Sequence, residues 1–270
     1  MSSSTPSPDF DGEETLAVTN GPLREKPMGF LDHLEELRGT LVKCAIVFAL
    51  VVAGIAYLLQ DFAHLLNLPL ENVRAEYPQL KTDLITNSPM GIFSVVINIC
   101  VTGGFVLSLP FFLFFLGQFV APALTQRELK VLVPTMLAAF GLFLTGASFG
   151  YFVLVPSTIR VAFELNELLG YTVLWTADAY YSLLMWMVLG VGASFEFPLL
   201  VVLATYMGLV EVATLKKYRR HAIVVMFVIA AIVTPTPDPV NQTMFAVPLI
   251  FLYEASIWAS TFVGRRYKKA

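Results

Sequence analysis

Charge is what this sequence has least of. Asp, Glu, Lys and Arg make up 14% of its 270 residues, hydrophobic types make up 57%, and the mean hydropathy is +0.72. A soluble globule draws about 25% of its residues from those four types, so that class is excluded. Histidine is scarcer: His33, His64 and His221 all lie near or beyond the ends of the apolar runs, and there is no His-Glu-x-x-His. An intramembrane protease or metal centre therefore lacks its residues at membrane depth. Gly-x-x-x-x-Gly-Lys-Ser/Thr is also missing, which excludes ATP binding through a Walker loop. The two cysteines, Cys44 and Cys100, fall in different apolar runs and are expected as free thiols packed as small apolar groups. No catalytic residue, no metal or other cofactor and no nucleic-acid partner is expected.

What is present is a series of charge-poor runs at 44–60, 91–117, 131–159, 179–210, 222–233 and 244–263, the last broken once by Glu254. They predict an all-α integral membrane bundle of six transmembrane helices. Residues 84–126 are uncharged and could hold two spans, but Pro110 has no polar turn around it, so one long helix bent near Pro110 is expected. Lys and Arg gather in cytoplasmic loops. With six spans, 14 of the 17 basic residues, Arg38, Lys130, Lys217 and Arg266 among them, share one face, and Arg74, Lys81 and Arg160 lie opposite. An extra span would mix the two groups, so both termini are expected in the cytoplasm.

Residues 1–27 hold Asp9, Asp11, Glu13 and Glu14 among serines and prolines, with too few apolar residues to order themselves. A disordered acidic tail is expected there, not a cleavable signal peptide, which would need a basic start and an apolar stretch of about 7 to 15 residues. The membrane domain is expected over 28–264, and a basic cytoplasmic tail over 265–270. Two outer segments, 61–88 and 156–178, are long. The second carries Val161, Phe163, Leu165, Leu168 and Leu169 among Glu164, Asn166 and Glu167, which suggests a short amphipathic cap on the surface. The fifth run has 12 apolar residues, about 18 Å of helix against a hydrocarbon core of about 30 Å. Either the bilayer thins beside it, its outer end opens into a wet pocket, or Tyr218 to Arg220 extend the span by a turn. The sixth helix is interrupted in turn by Pro248 and Glu254. The short proline-rich link at 234–242 makes the fifth and sixth helices neighbours.

Glu196 is the only charged residue in 179–210. It must face protein or water, because a charge at the bilayer centre costs about 2.5 to 3.5 kcal/mol even on lenient scales. Ahead of the first span, Phe30, Leu34, Leu37 and Leu41 share a helix face, with Asp32, Glu35 and Glu36 off it. Glu36 there, and Glu128 between the second and third runs, would suit a dibasic guest, each carboxylate taking one guanidinium in a bidentate pair. The alternatives are a solvated acidic face for Glu36 and an ion pair with Arg127 or Lys130 for Glu128. Glu196 beside Pro198 and Gly192 also fits a broken helix with a coupling acid, so a proton- or ion-coupled small-molecule transporter is the rival function. It would show inverted repeats, and no such pattern relates the first three runs to the last three.

The runs His33-Leu-Glu-Glu-Leu-Arg38, Phe119-Val-Ala-Pro-Ala-Leu124 with Glu128 beyond it, Ser194-Phe-Glu-Phe-Pro198, Thr234-Pro-Thr-Pro-Asp238 with Gln242, and Tyr253-Glu254 resemble, in order, the signature segments of TatC, the multi-spanning subunit of the twin-arginine protein translocase. The resemblance runs over about 30–264. It implies a receptor that binds twin-arginine signal peptides of folded precursors at its cytoplasmic face. Such a receptor assembles with TatA- and TatB-like single-span proteins and with further copies of itself, and exports cargo on the proton-motive force. By match to the family pattern, Glu36 and Glu128 would receive the arginine pair, with Arg38 and Phe119 as further signal-peptide positions. Glu196 would line a concave, cup-like face, and Thr234 and Gln242 would dock a partner helix. Pro69, Asp238 and Glu254 match other family positions. The chain departs from the pattern at Leu129-Lys130, where relatives often carry a basic pair, and its outer turn is one residue longer.

Overall fold

A chain in lipid has no water to satisfy its backbone, so apolar runs close their hydrogen bonds internally as helices. The computed structural model describes residues 30–78, 84–121, 126–234 and 238–267, and these carry ten α-helices. They are α1 (Phe30–Tyr57), α2 (Leu59–Glu76), α3 (Gly91–Val120), α4 (Gln126–Phe149), α5 (Val155–Leu168), α6 (Ala177–Phe195), α7 (Phe197–Tyr206), α8 (Val212–Lys217), α9 (Arg219–Val233) and α10 (Pro239–Tyr267). The expected acidic tail and the last three residues lie outside the described residues.

Five segments are long and apolar enough to cross a membrane: His33–Tyr57, Gly91–Phe119, Leu132–Leu168, Ala177–Tyr206 and Pro239–Thr261. α9, the fifth of the six expected spans, has 15 residues, about 22 Å. It starts at Arg219, so the helix does gain a turn over its apolar run. α3 passes through Pro110 as one helix, as expected.

Two expectations are corrected. α10 continues unbroken through Pro248 and Glu254, so the interruption there is one of composition and not of backbone. The 156–178 segment does not begin as a separate surface helix: α4 runs through a π-turn, Gly150–Leu154, straight into α5. One extra residue per turn at that point rotates the face that follows. Ile159 and Phe163 are buried, whereas Leu165, Leu168 and Leu169 point outward, Leu168 at 81% exposure.

α1 packs along α3, α3 and α4 both pack on α6, and α10 lies against α7 and α9. Leu154, Leu184, Met187, Val191, Met226 and Phe245 form the middle of the core. Helices come close where glycine allows it. A Cβ on Gly192 would lie 2.6 Å from Phe143 Cε2, and one on Gly146 would lie 2.7 Å from Phe195 Cγ.

Polar ties gather where α2 meets α5. Arg160 Nε lies 2.8 Å from Glu76, and the Tyr77 hydroxyl donates to Glu164 at 2.9 Å. An isolated bridge joins Ile85 to Thr176, with Ile85 N–H donating to the Trp175 carbonyl at 3.0 Å.

Candidate functional site

His33, Glu36 and Thr40 recur at helical spacing and so share one side of α1. The His33 ring stacks on Phe119 of α3, centroids 4.5 Å apart and planes 22° apart, which fixes that side as the one facing α3. Thr40 Oγ1 donates to the Glu36 carbonyl at 2.9 Å, and Glu36 Oε2 is shielded from solvent with no hydrogen-bond partner among the described residues. Leu34, Leu37 and Leu41 are exposed. The amphipathic sense is thus the reverse of a soluble helix, acid inward and leucines outward, as lipid demands. Arg38 is exposed among those leucines and does not join Glu36. Glu128 lies in the first turn of α4; its side chain lies outside the described residues, as do residues 122–125 of the Phe119 segment.

Glu196 occupies the single-residue break between α6 and α7. Its N–H donates to the Ala193 carbonyl at 3.2 Å, and its own carbonyl accepts from Leu199 at 3.0 Å and Leu200 at 3.1 Å. Pro198, with no N–H to give, makes a break here inexpensive. Oε1 of Glu196 is buried and has no partner among the described residues. A buried acceptor left unmade costs about 1 to 3 kcal/mol. Glu36 and Glu196 thus each hold one oxygen out of solvent with no partner among the described residues. The letters Gly146-Ala-Ser-Phe-Gly150 spell Gly-x-Ser-x-Gly, but they lie within continuous helix, not on the strand-to-helix turn that makes a serine nucleophile.

Thr234 caps the end of α9 and Gln242 lies on α10, which packs against it. Thr234 is buried and donates to the Ala230 carbonyl at 2.7 Å, and Gln242 Nε2 reaches across to the Phe227 carbonyl at 3.1 Å. Asp238 opens α10, accepting from Asn241 N–H at 2.7 Å and from Asn241 Nδ2 at 3.0 Å. Glu254 pairs with Arg219 at 2.9 Å, tying α10 to the start of α9. Pro235 to Pro237 lie outside the described residues.

Pro69 is buried in α2. Around it Tyr151 donates to the Leu65 carbonyl, Tyr180 to the Leu66 carbonyl at 2.6 Å and Tyr181 to Asn67 Oδ1 at 3.0 Å. Sequence reasoning missed these tyrosines, because nothing local signals a bond across 86 to 114 residues. It also missed Asn98, whose Nδ2 donates to Ser182 Oγ at 2.6 Å beside a cleft of about 530 Å³. Asn241, 0% exposed, was missed as well, although an Asp three residues before it at a helix start is a capping signal.

Comparison with known proteins agrees with this architecture. The family model for Sec-independent protein translocase protein (TatC) matches residues 32–248. Sec-independent protein translocase protein TatC of Aquifex aeolicus (strain VF5) is 32% identical over 244 residues, covering 90% of this chain and 98% of the relative. That of Koribacter versatilis (strain Ellin345) is 32% identical over 271 residues, covering 98% and 96%. A crystal structure of the twin arginine translocase receptor TatC superposes with a TM-score of 0.69 at 29% identity, over 86% of this chain and 99% of that one. On these matches, which run nearly the length of the bundle, the chain belongs to the TatC family of non-enzymatic, multi-pass membrane proteins of the Sec-independent translocase.

Proposed function

We propose that this chain is the receptor of a twin-arginine translocase, binding twin-arginine signal peptides at the membrane face where α1 begins. The observation that carries the reading is the Glu36 carboxylate, one oxygen shielded and unpartnered beside the His33–Phe119 stack. An acceptor held that way is short of a donor, and a guanidinium supplies two in one plane. Glu128, one loop away at the start of α4, would take the second guanidinium, and Arg38 would contact the same peptide from the lipid-facing side.

In this reading α9 is a sixth, short span, residues 28–264 form the membrane domain, and both termini lie in the cytoplasm, with the acidic tail before it and the basic tail after it. The orientation follows the distribution of Lys and Arg. TatA- and TatB-like single-span partners dock at α9 and α10 near Thr234 and Gln242, further copies of the chain join the receptor complex, and the proton-motive force drives export. Glu196 offers its unpartnered oxygen to a polar group of a partner or cargo. Interhelical hydrogen bonds in membranes average about 0.6 kcal/mol, so such docking is exchangeable. The coupled-transporter reading, which rested on the break at Glu196, finds no support among the relatives.

The test replaces Glu36 and Glu128 singly and together with Ala and measures crosslinking of a twin-arginine precursor in membranes. Reduced crosslinking in each single variant, and least in the double one, is expected. Unchanged crosslinking in the double variant refutes the assignment.

A further inference from the structure

We propose that His33 is a positioning residue for the signal-peptide site: its ring, stacked on Phe119, holds the first turns of α1 against the end of α3 and keeps the Glu36 carboxylate turned inward. The inference rests on the reading of Glu36 given under Proposed function.

The second half of α1 is held by packing. A Cβ on Gly104 would meet Val52 at 2.5 Å, and Ile55 is buried. Among the described residues of the first turns, 33–41, none is fully buried. Their α3-facing side carries His33, Glu36 and Thr40, none of them an apolar anchor, while Leu34, Leu37 and Leu41 look out. Lipid keeps the acid side turned away from the tails, but it is as apolar as a protein core, so hydrophobic burial cannot hold these turns against α3 or fix their angle there. Something specific must do so. The ring pair ties these turns to α3, its 4.5 Å separation and 22° tilt being those of stacked planes.

Glu36 lies three residues after His33, so it sits on the same side one turn further along. Any splay or rotation that separates His33 from Phe119 also carries Glu36 outward. An imidazole suits the position because its face covers Phe119 while its polar edge meets water at the helix end. The stack itself asks only for a flat ring. A phenyl group can replace it, whereas Ala or Gln cannot.

The experiment measures binding of a twin-arginine signal peptide to the full chain in membranes, for wild type, His33→Ala, His33→Phe, Glu36→Ala, Phe119→Ala and the His33→Ala/Phe119→Ala pair. Loss of one stacked pair predicts about two- to tenfold weaker binding for His33→Ala. His33→Phe should bind within twofold of wild type, on the order of the smallest effect such a pair gives. His33→Ala should weaken binding no further once Phe119 is Ala. Wild-type binding by His33→Ala overturns the proposal. So does failure of Phe to restore what Ala loses, since the imidazole would then act by charge or hydrogen bonding. Should His33→Ala not accumulate in the membrane, His33→Phe against His33→Gln decides the same point: equal binding overturns the proposal, and weaker binding by Gln supports it. Wild-type binding by Glu36→Ala would instead remove the receptor-site reading, so the two failures are told apart.

Discussion

The Tyr151 hydroxyl donates to the carbonyl of Leu65, the residue four before Pro69 in α2. Proline has no N–H, so this carbonyl has no partner within its own helix. The tyrosine reaches it from the π-turn that ends α4. Tyr151→Phe should destabilise the protein by about 0.5 to 1.5 kcal/mol, the net worth of a typical intramolecular hydrogen bond. Pro69→Ala restores an N–H at the right place, so the double variant should lose less than the two single losses added. Thermal unfolding in detergent of the four proteins checks it; strict additivity would show the two residues to be uncoupled.

Gly192 leaves room for Phe143, a ring 1% exposed and enclosed on all sides. Gly192→Ala brings a methyl to 2.6 Å of Cε2, and the ring has nowhere to go. Overpacking of this kind costs about 1 to 3 kcal/mol. The same shift moves α6 away from α4 one turn before Glu196. A lower unfolding temperature is expected, and Phe143→Leu in the same chain should recover part of it.

Arg219 and Glu254 pair at 2.9 Å with their side chains 45% and 43% exposed. Half-exposed pairs are screened, so either alanine variant should cost no more than about 1 kcal/mol. High salt should erase the difference from wild type. The charge-swapped Arg219→Glu/Glu254→Arg protein should recover most of any loss in unfolding temperature.

Tyr77 lies beyond the spans, at the end of α2. The hydrogen bond it donates to Glu164 comes first among the causes that raise its phenol above the ordinary value of 10.0, followed by burial and by the Glu164 charge. A phenol raised in this way is held in its protonated form by the fold. Its contribution is complete below the ordinary value and disappears as pH climbs through the higher folded value. The difference in phenolate absorbance between wild type and Tyr77→Phe should therefore titrate above pH 10, and Glu164→Gln should bring it back down.

The helices were legible because lipid leaves an apolar run no other way to satisfy its backbone. Pro110 inside one helix, the short α9 and the pairing of α9 with α10 all followed from local composition and loop length. The extension of α4 into α5 was not legible, because a π-turn costs one residue and leaves no compositional mark. Pro248 and Glu254 misled for the complementary reason. In α10 a proline is tolerated, and Glu254 finds Arg219 across the helix pair.

The sequence by itself determined that this is a helical membrane protein, where its long apolar helices lie and which carboxylates have no business in lipid. The tertiary structure decided which way Glu36 and Glu196 turn, leaving one oxygen of each without a partner among the described residues. In water, apolar periodicity says which face of a helix goes inside. Lipid rejects the acid face of α1 but holds no helix at a set angle against its neighbour, and that choice passes to a few specific contacts, such as His33 on Phe119 for α1 and Tyr151 on Leu65 for α2, each between residues 86 apart in the chain.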